Sequence, residues 1–179
     1  MSMIDKARRF AGTAHAGQTR KGAEGEPYVT HVAEVAASVA GFGGTEAQIV
    51  AAWLHDTVED CGVTPGELVS IFGAEVAALV GELTDDKSLP KAERKRLQIE
   101  HAPHKTDAAA LIKACDKLAN IRAVGTSPPT HWPVARRMAY LDWAEAVVLR
   151  LPAGADPARV ALAEALAQPR KSVRSRGAV

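Results

Sequence analysis

Cysteine is nearly absent: Cys61 and Cys115 are the only two in 179 residues, and they form no CxxC pair. That spacing supports neither a disulfide framework nor a cysteine-built structural zinc site, and it suits a reducing compartment. Aromatic side chains make up only 4% of the chain, so alanine and aliphatic residues must fill most of the core. Long apolar runs are missing too. No stretch approaches the roughly 20 residues that a bilayer-spanning helix needs, and Met1-Ser2-Met3-Ile4-Asp5-Lys6 has no signal-peptide segment. A cytoplasmic protein with no membrane partner is the expectation. The net charge of +1 argues against a general polyanion binder but leaves room for a local basic pocket. The basic stretch from Pro169 to Gly177 has no interleaved aromatics. It therefore reads as part of a disordered tail, residues 169–179, with no nucleic-acid role. Val- and Ile-rich alternation is missing throughout, so the chain reads as all-α.

What is present suits one globular domain, residues 1–168, with 47% hydrophobic and 24% charged residues. Apolar residues recur at helical spacing over 3–16, and the polar loop Gly17–Pro27 follows. A helix is expected from about Thr30, capped by that residue and burying Val32, Val35, Ala36 and Val39. Another should run from Thr45 to Thr57, apolar nearly all round and so central. Thr64-Pro65 with Glu67 carries a cap, a first-turn proline and a capping-box acid, and predicts a helix to Phe72. Further segments cover 74–83, the highly charged 91–97, 108–124, 131–149 and a last helix ending near Ala167. The 91–97 segment reads as a solvated face with i,i+4 charge pairs, ended or kinked by Pro103. About eight to ten helices should form one bundle.

The polar residues inside these apolar helices carry the chemistry. Ile49-Val50-Ala51-Ala52-Trp53-Leu54 runs directly into His55-Asp56-Thr57-Val58-Glu59-Asp60. On a continuous helix His55 would share a face with Glu59, and Asp56 with Asp60. So many acids beside an apolar surface repel one another unless a cation joins them. His31, His55, Asp56 and Asp116 supply two imidazoles and two carboxylates, a set that suits Mn²⁺, Fe²⁺, Zn²⁺ or Mg²⁺ with open positions. Such an ion lowers the pKa of its water and polarises a phosphoryl oxygen. Glu59 and Asp60 follow closely enough to take the proton. Arg20-Lys21, Lys95 and its neighbours, Lys113, Lys117 and Arg122 could flank a phosphorylated substrate. Asn120, one turn beyond Asp116, could reach a ribose or phosphate.

The arrangement His31…His55-Asp56…Asp116 resembles the H…HD…D signature of the HD-domain metal phosphohydrolases. Gln18-Thr19-Arg20-Lys21, Pro27-Tyr28-Val29-Thr30-His31 and Ala52–Asp60 are similar to the hydrolase domain of the RelA/SpoT alarmone enzymes. So are Leu83-Thr84-Asp85-Asp86-Lys87 and Asp116-Lys117-Leu118-Ala119-Asn120-Ile121-Arg122. The Leu89-Pro90-Lys91 segment and the Trp132…Arg136…Tyr140…Trp143 spacing resemble the stand-alone small alarmone hydrolases, which include the metazoan SpoT homologue. The likeness runs over residues 3–168. It implies an α-helical bundle of the HD type holding one Mn²⁺ on His31, His55, Asp56 and Asp116, with Glu59 and Asp60 activating water. It further implies guanine contacts from Arg20 and Lys21, a ribose contact from Asn120, and an orienting or anchoring role for Tyr28. Lys95, Arg122 and Arg136 are the candidate phosphate contacts. The implied reaction is 3′-pyrophosphohydrolysis of (p)ppGpp to GDP or GTP. No synthetase activity is implied, because the chain stops before any such domain. Two alternatives accompany this reading: removal of the 2′-phosphate of NADPH, and binding of alarmone without cleavage. The expected partner is a nucleotide, and a homo-oligomer is left open.

Overall fold

A computed structural model describes residues 1–22 and 25–175, and among them the secondary structure is helical throughout apart from one isolated bridge between Thr19 and Pro27. The helices are α1 (Met3–Ala14), α2 (Val29–Gly41), α3 (Glu46–Leu54), α4 (Thr57–Cys61), α5 (Pro65–Phe72) and α6 (Ala74–Leu83). After them come α7 (Lys91–His101), α8 (Asp107–Thr126), α9 (Val134–Arg150), α10 (Asp156–Arg159) and α11 (Leu162–Ser175). Nine of these have eight residues or more, while α4 and α10 are about one turn each.

Local chemistry sets most boundaries. Thr45 and Thr64 each accept a hydrogen bond from the third helical N–H, with Gln48 and Glu67 bonding back to the cap. These boxes start α3 and α5. The start expected at Thr30 is corrected: α2 begins at Val29, and the Thr30 hydroxyl donates to the Pro27 carbonyl instead of capping. Its expected core residues are all buried.

The helix expected over 45–57 is interrupted at His55-Asp56. His55 Nδ1 bonds the Ala52 carbonyl at 2.8 Å, and the Thr57 hydroxyl bonds that of Leu54 at 2.7 Å. Side chains thus take up carbonyls at the end of α3, and α4 starts afresh with Asp56 as its cap. The Asp60 N–H still reaches the Asp56 carbonyl at 2.8 Å, so that i,i+4 relation survives the break.

The centre of the bundle is α8 rather than α3. Thirteen of its 20 residues are buried, and α2, α3, α6, α9 and α11 pack around it. Ala109, Ala110, Ala114 and Ala119 let those neighbours approach closely, which fits a core with few rings. At the C-terminus α11 passes through Pro169 to Ser175, and Arg170 pairs with Asp142 and Glu145 of α9. The disorder expected from residue 169 is therefore corrected for 169–175: these ion pairs tie the extra turns to α9. Residues 176–179 of that tail lie outside the described residues.

Candidate active site

Two helices and one helix break bring the four predicted ligands together. His31 sits in the first turn of α2, His55-Asp56 in the gap between α3 and α4, and Asp116 in the middle of α8. His31 Nε2 lies 3.4 Å from Asp116 Oδ1 and 3.7 Å from Asp56 Oδ2. His55 Nε2 lies 3.1 Å from Asp56 Oδ2. Because His55 Nδ1 is tied to the Ala52 carbonyl, Nε2 is the atom turned to the carboxylates, as metal-binding imidazoles require. It is buried and lacks a hydrogen-bond partner, the 3.1 Å approach being out of line for one. Ligand atoms of His31, His55 and Asp116 all lie within 4.8 Å of one another. An orphaned imidazole nitrogen facing the half-buried Asp56 and the buried Asp116 fits a divalent cation.

The charges say the same. Burial alone would lower the pKa of His55, but Asp56 and then Asp116 outweigh it and push it up to about 9. Burial would raise Asp56, yet the adjoining His55 and His31 hold it well below the usual carboxylate range. Asp116 is depressed against the same burial penalty by Lys117, His31 and Lys113. The site is built for positive charge at its centre.

Supporting bonds fix the carboxylates. The Tyr28 hydroxyl donates to Asp56 Oδ2 at 2.6 Å, and the Asn120 amide donates to Asp116 Oδ1 at 2.6 Å. Lys117 Nζ takes the other Asp116 oxygen at 3.0 Å. On α4, Glu59 accepts the Asp85 N–H at 3.3 Å and stands 3.5 Å from Arg94, while Asp60 pairs with Lys87. Burial, followed by the Asp85 charge, raises the pKa of Glu59.

Two cavities adjoin this cluster. The smaller, about 330 Å³, has Asp56, Glu59, Asp60 and Asp116 in its wall, faced by cations that include Lys91, Arg94, Lys95 and Lys113. The larger, about 480 Å³, is lined by Arg20, Gly22, Glu34, Arg122, Ser127 and Trp132, among others. Lys21, Tyr28, Lys91, Asn120 and Tyr140 belong to both. A Cβ on Gly22 would run into the Ser127 hydroxyl and carbonyl, so only glycine lets this loop close so tightly over the larger cavity. Arg20 pairs with Glu34 at 2.9 Å, and its buried Nη2 has no partner.

The two later phosphate candidates are not with Lys95. Arg122 lines only the larger cavity. Arg136 lines neither, because its guanidinium lies over the Trp132 ring at 4.5 Å. Conversely, the charged helix α7 is more than a solvated face. Lys91, Arg94, Lys95 and Gln98 line the smaller cavity, whereas Glu93, Arg96 and Glu100 pair with one another outside. The inward positions recur at i, i+3, i+4 and i+7, a stripe that sequence periodicity could have revealed had polar residues been counted like apolar ones.

An HD-domain family model matches residues 7–141. The chain belongs to the HD-domain family. It is 48% identical over 141 residues to the guanosine-3′,5′-bis(diphosphate) 3′-pyrophosphohydrolase MESH1 of Danio rerio, covering 78% of each chain. The Homo sapiens MESH1 is 46% identical over 145 residues, 80% of this chain and 81% of the relative. A solved structure, described as a metazoan ortholog of SpoT that hydrolyzes ppGpp and plays a role in starvation responses, matches with a TM-score of 0.88. It is 37% identical and covers 100% of this chain and 98% of that one.

Proposed function

We propose that the protein is a divalent-metal-dependent guanosine-3′,5′-bis(diphosphate) 3′-pyrophosphohydrolase that uses manganese and takes ppGpp and pppGpp to GDP and GTP. The observation that carries this reading is the joining of the two cavities. An acidic ligand cluster faced by cations, suited to a diphosphate, opens beside a larger cavity with room for a nucleoside. The likeness to relatives named for this reaction supports the choice of substrate.

His31, His55, Asp56 and Asp116 would hold the ion. When bound, it polarises a phosphoryl oxygen and makes water acidic enough to attack near neutral pH. Glu59, whose raised pKa makes it a stronger base than a free carboxylate, takes the proton from the attacking water, with Asp60 beside it. The water oxygen bonds to the phosphorus carried by the 3′ oxygen and the P–O3′ bond breaks; the departing 3′ oxygen takes up a proton, so that GDP or GTP with a free 3′ hydroxyl and pyrophosphate are the products. Lys95, together with Lys91 and Arg94, offsets the charge of the diphosphate. Asn120 and Tyr28 border both cavities, a position suited to the ribose between base and diphosphate. Arg20 and Lys21 line the larger cavity, and the unpartnered Nη2 of Arg20 supports a role in reading acceptor atoms on guanine.

The test is pyrophosphate release by purified protein with saturating Mn²⁺, run side by side on ppGpp, pppGpp and NADPH. No release from ppGpp refutes the reading, and phosphate release from NADPH alone would move it to 2′-phosphate removal. Glu59→Gln should keep metal affinity while turnover falls by about 100-fold or more. Asp116→Ala should lose the metal in calorimetry. Equal metal loss in both variants would defeat this division of roles.

A further inference from the structure

Three rings form a row, Trp132 just before α9 and Tyr140 and Trp143 on it. Trp132 and Tyr140 have centroids 5.4 Å apart, and Tyr140 and Trp143 again 5.4 Å. Trp143 holds two cations, with Lys95 Nζ 4.4 Å and Lys117 Nζ 4.6 Å from its centroid. Its indole N–H donates to the Lys95 carbonyl at 3.0 Å, which ties the ring to the α7 backbone. The two lysines come from different helices, α7 and α8, and both line the smaller cavity.

Like charges set side by side repel, and a protein normally relieves this with carboxylates. Lys117 has Asp116, but among the described residues no carboxylate forms an ion pair with Lys95. A carboxylate partner would cancel the charge that an anionic ligand needs. The face of an aromatic ring stabilises an ammonium group while leaving its full charge in place. Lys95 also rests against Tyr140, 5.3 Å from that centroid.

We propose that Trp143 is a positioning residue for the diphosphate end of the cleft, its ring holding the Lys95 and Lys117 ammonium groups on the cavity wall in advance of the anion. The inference rests on the pyrophosphohydrolase reading for its kinetic arm, and inorganic pyrophosphate is a probe that needs no turnover. Trp143→Leu removes both ring and N–H, while Trp143→Phe keeps a ring face. KM and kcat on ppGpp, and the affinity for inorganic pyrophosphate by calorimetry, are measured for both variants after thermal melts have shown them folded. Trp143→Leu should raise KM and weaken pyrophosphate about tenfold with kcat within about threefold, and Trp143→Phe should restore both to within about threefold of wild type. In a Lys95→Met background, Trp143→Leu should cost clearly less than its roughly tenfold effect in wild type, because only Lys117 is then left for the ring to hold. A fall in kcat with KM unchanged, equal damage from Phe and Leu, or a full additive loss in the double variant would each overturn the proposal. Trp143-dependent pyrophosphate binding in a protein that leaves ppGpp intact would uphold it and refute the assigned reaction. Normal ppGpp turnover with an unaffected Trp143→Leu would do the reverse.

Discussion

His55 shows how much one side chain can be asked to do. Its Nδ1 ends a helix on the Ala52 carbonyl, and that same bond aims Nε2 at two carboxylates. Residues of this kind were legible because an imidazole or carboxylate inside an apolar run has no bland reason to be there; His31, Asp56 and Asp116 stood out the same way. Arg136 did not reveal its place, since an arginine near a basic cleft and one lying on Trp132 look alike in a sequence. The charge around His55 also sets a pH dependence. In metal-free protein its pKa rises from 6.5 to about 9, so the stability it contributes is complete below about pH 6.5 and is lost as pH climbs through 9. A divalent ion takes over the role of that proton. With a chelator present, the melting temperature should therefore fall between pH 6.5 and 9, and with Mn²⁺ the fall should vanish or reverse. Parallel melting curves in the two conditions would count against a cation site at His55.

At the scale of the element, local rules worked where the cause was local. Thr45 with Gln48 and Thr64 with Glu67 are short-range pairs, and both helices start where those pairs place them. Thr64→Ala should cost about 1 kcal/mol of stability, a drop of roughly 2–4 °C in Tm for a domain of this size. Turnover should not change, because Thr64 lines neither cavity of the cleft. A thermal melt and a rate measurement on the same sample check both parts. The break at His55-Asp56 was not legible, because the helix propensity of Ala51–Asp60 is satisfactory and only side-chain bonds to carbonyls interrupt it. The inner face of α7 was hidden for a related reason. Propensity and i,i+4 pairing describe the Glu93–Arg96–Glu100 side correctly. The stripe of Lys91, Arg94, Lys95 and Gln98 on the opposite side has helical period, but because those residues are polar the stripe by itself does not say that it meets a cavity instead of water.

Across the whole molecule, the all-helical class followed from the missing strand alternation and from 3.6-residue periodicity in nearly every segment. The position of α8 at the centre follows from its burying neighbours on every side, a property of assembly that a single helix does not display. The meeting of His31, His55-Asp56 and Asp116, separated by 24 and then 60 residues, was foreseen from residue chemistry and family likeness. The division of the cleft into two volumes was not, since it depends on where Tyr28, Asn120 and Tyr140 come together across three parts of the chain.

That division bears on inhibition. Five side chains mark the boundary, and on either side of it lies a separate volume, about 480 Å³ and about 330 Å³. Guanosine and inorganic pyrophosphate, each too small to fill both, need not exclude each other. In an initial-rate experiment with both compounds present, plots of reciprocal rate against one inhibitor at fixed levels of the other should intersect; parallel lines would mean a single shared compartment. An inhibitor that joined the two fragments across the Tyr28–Asn120 boundary would then gain from the effective concentration of the second fragment once the first is seated.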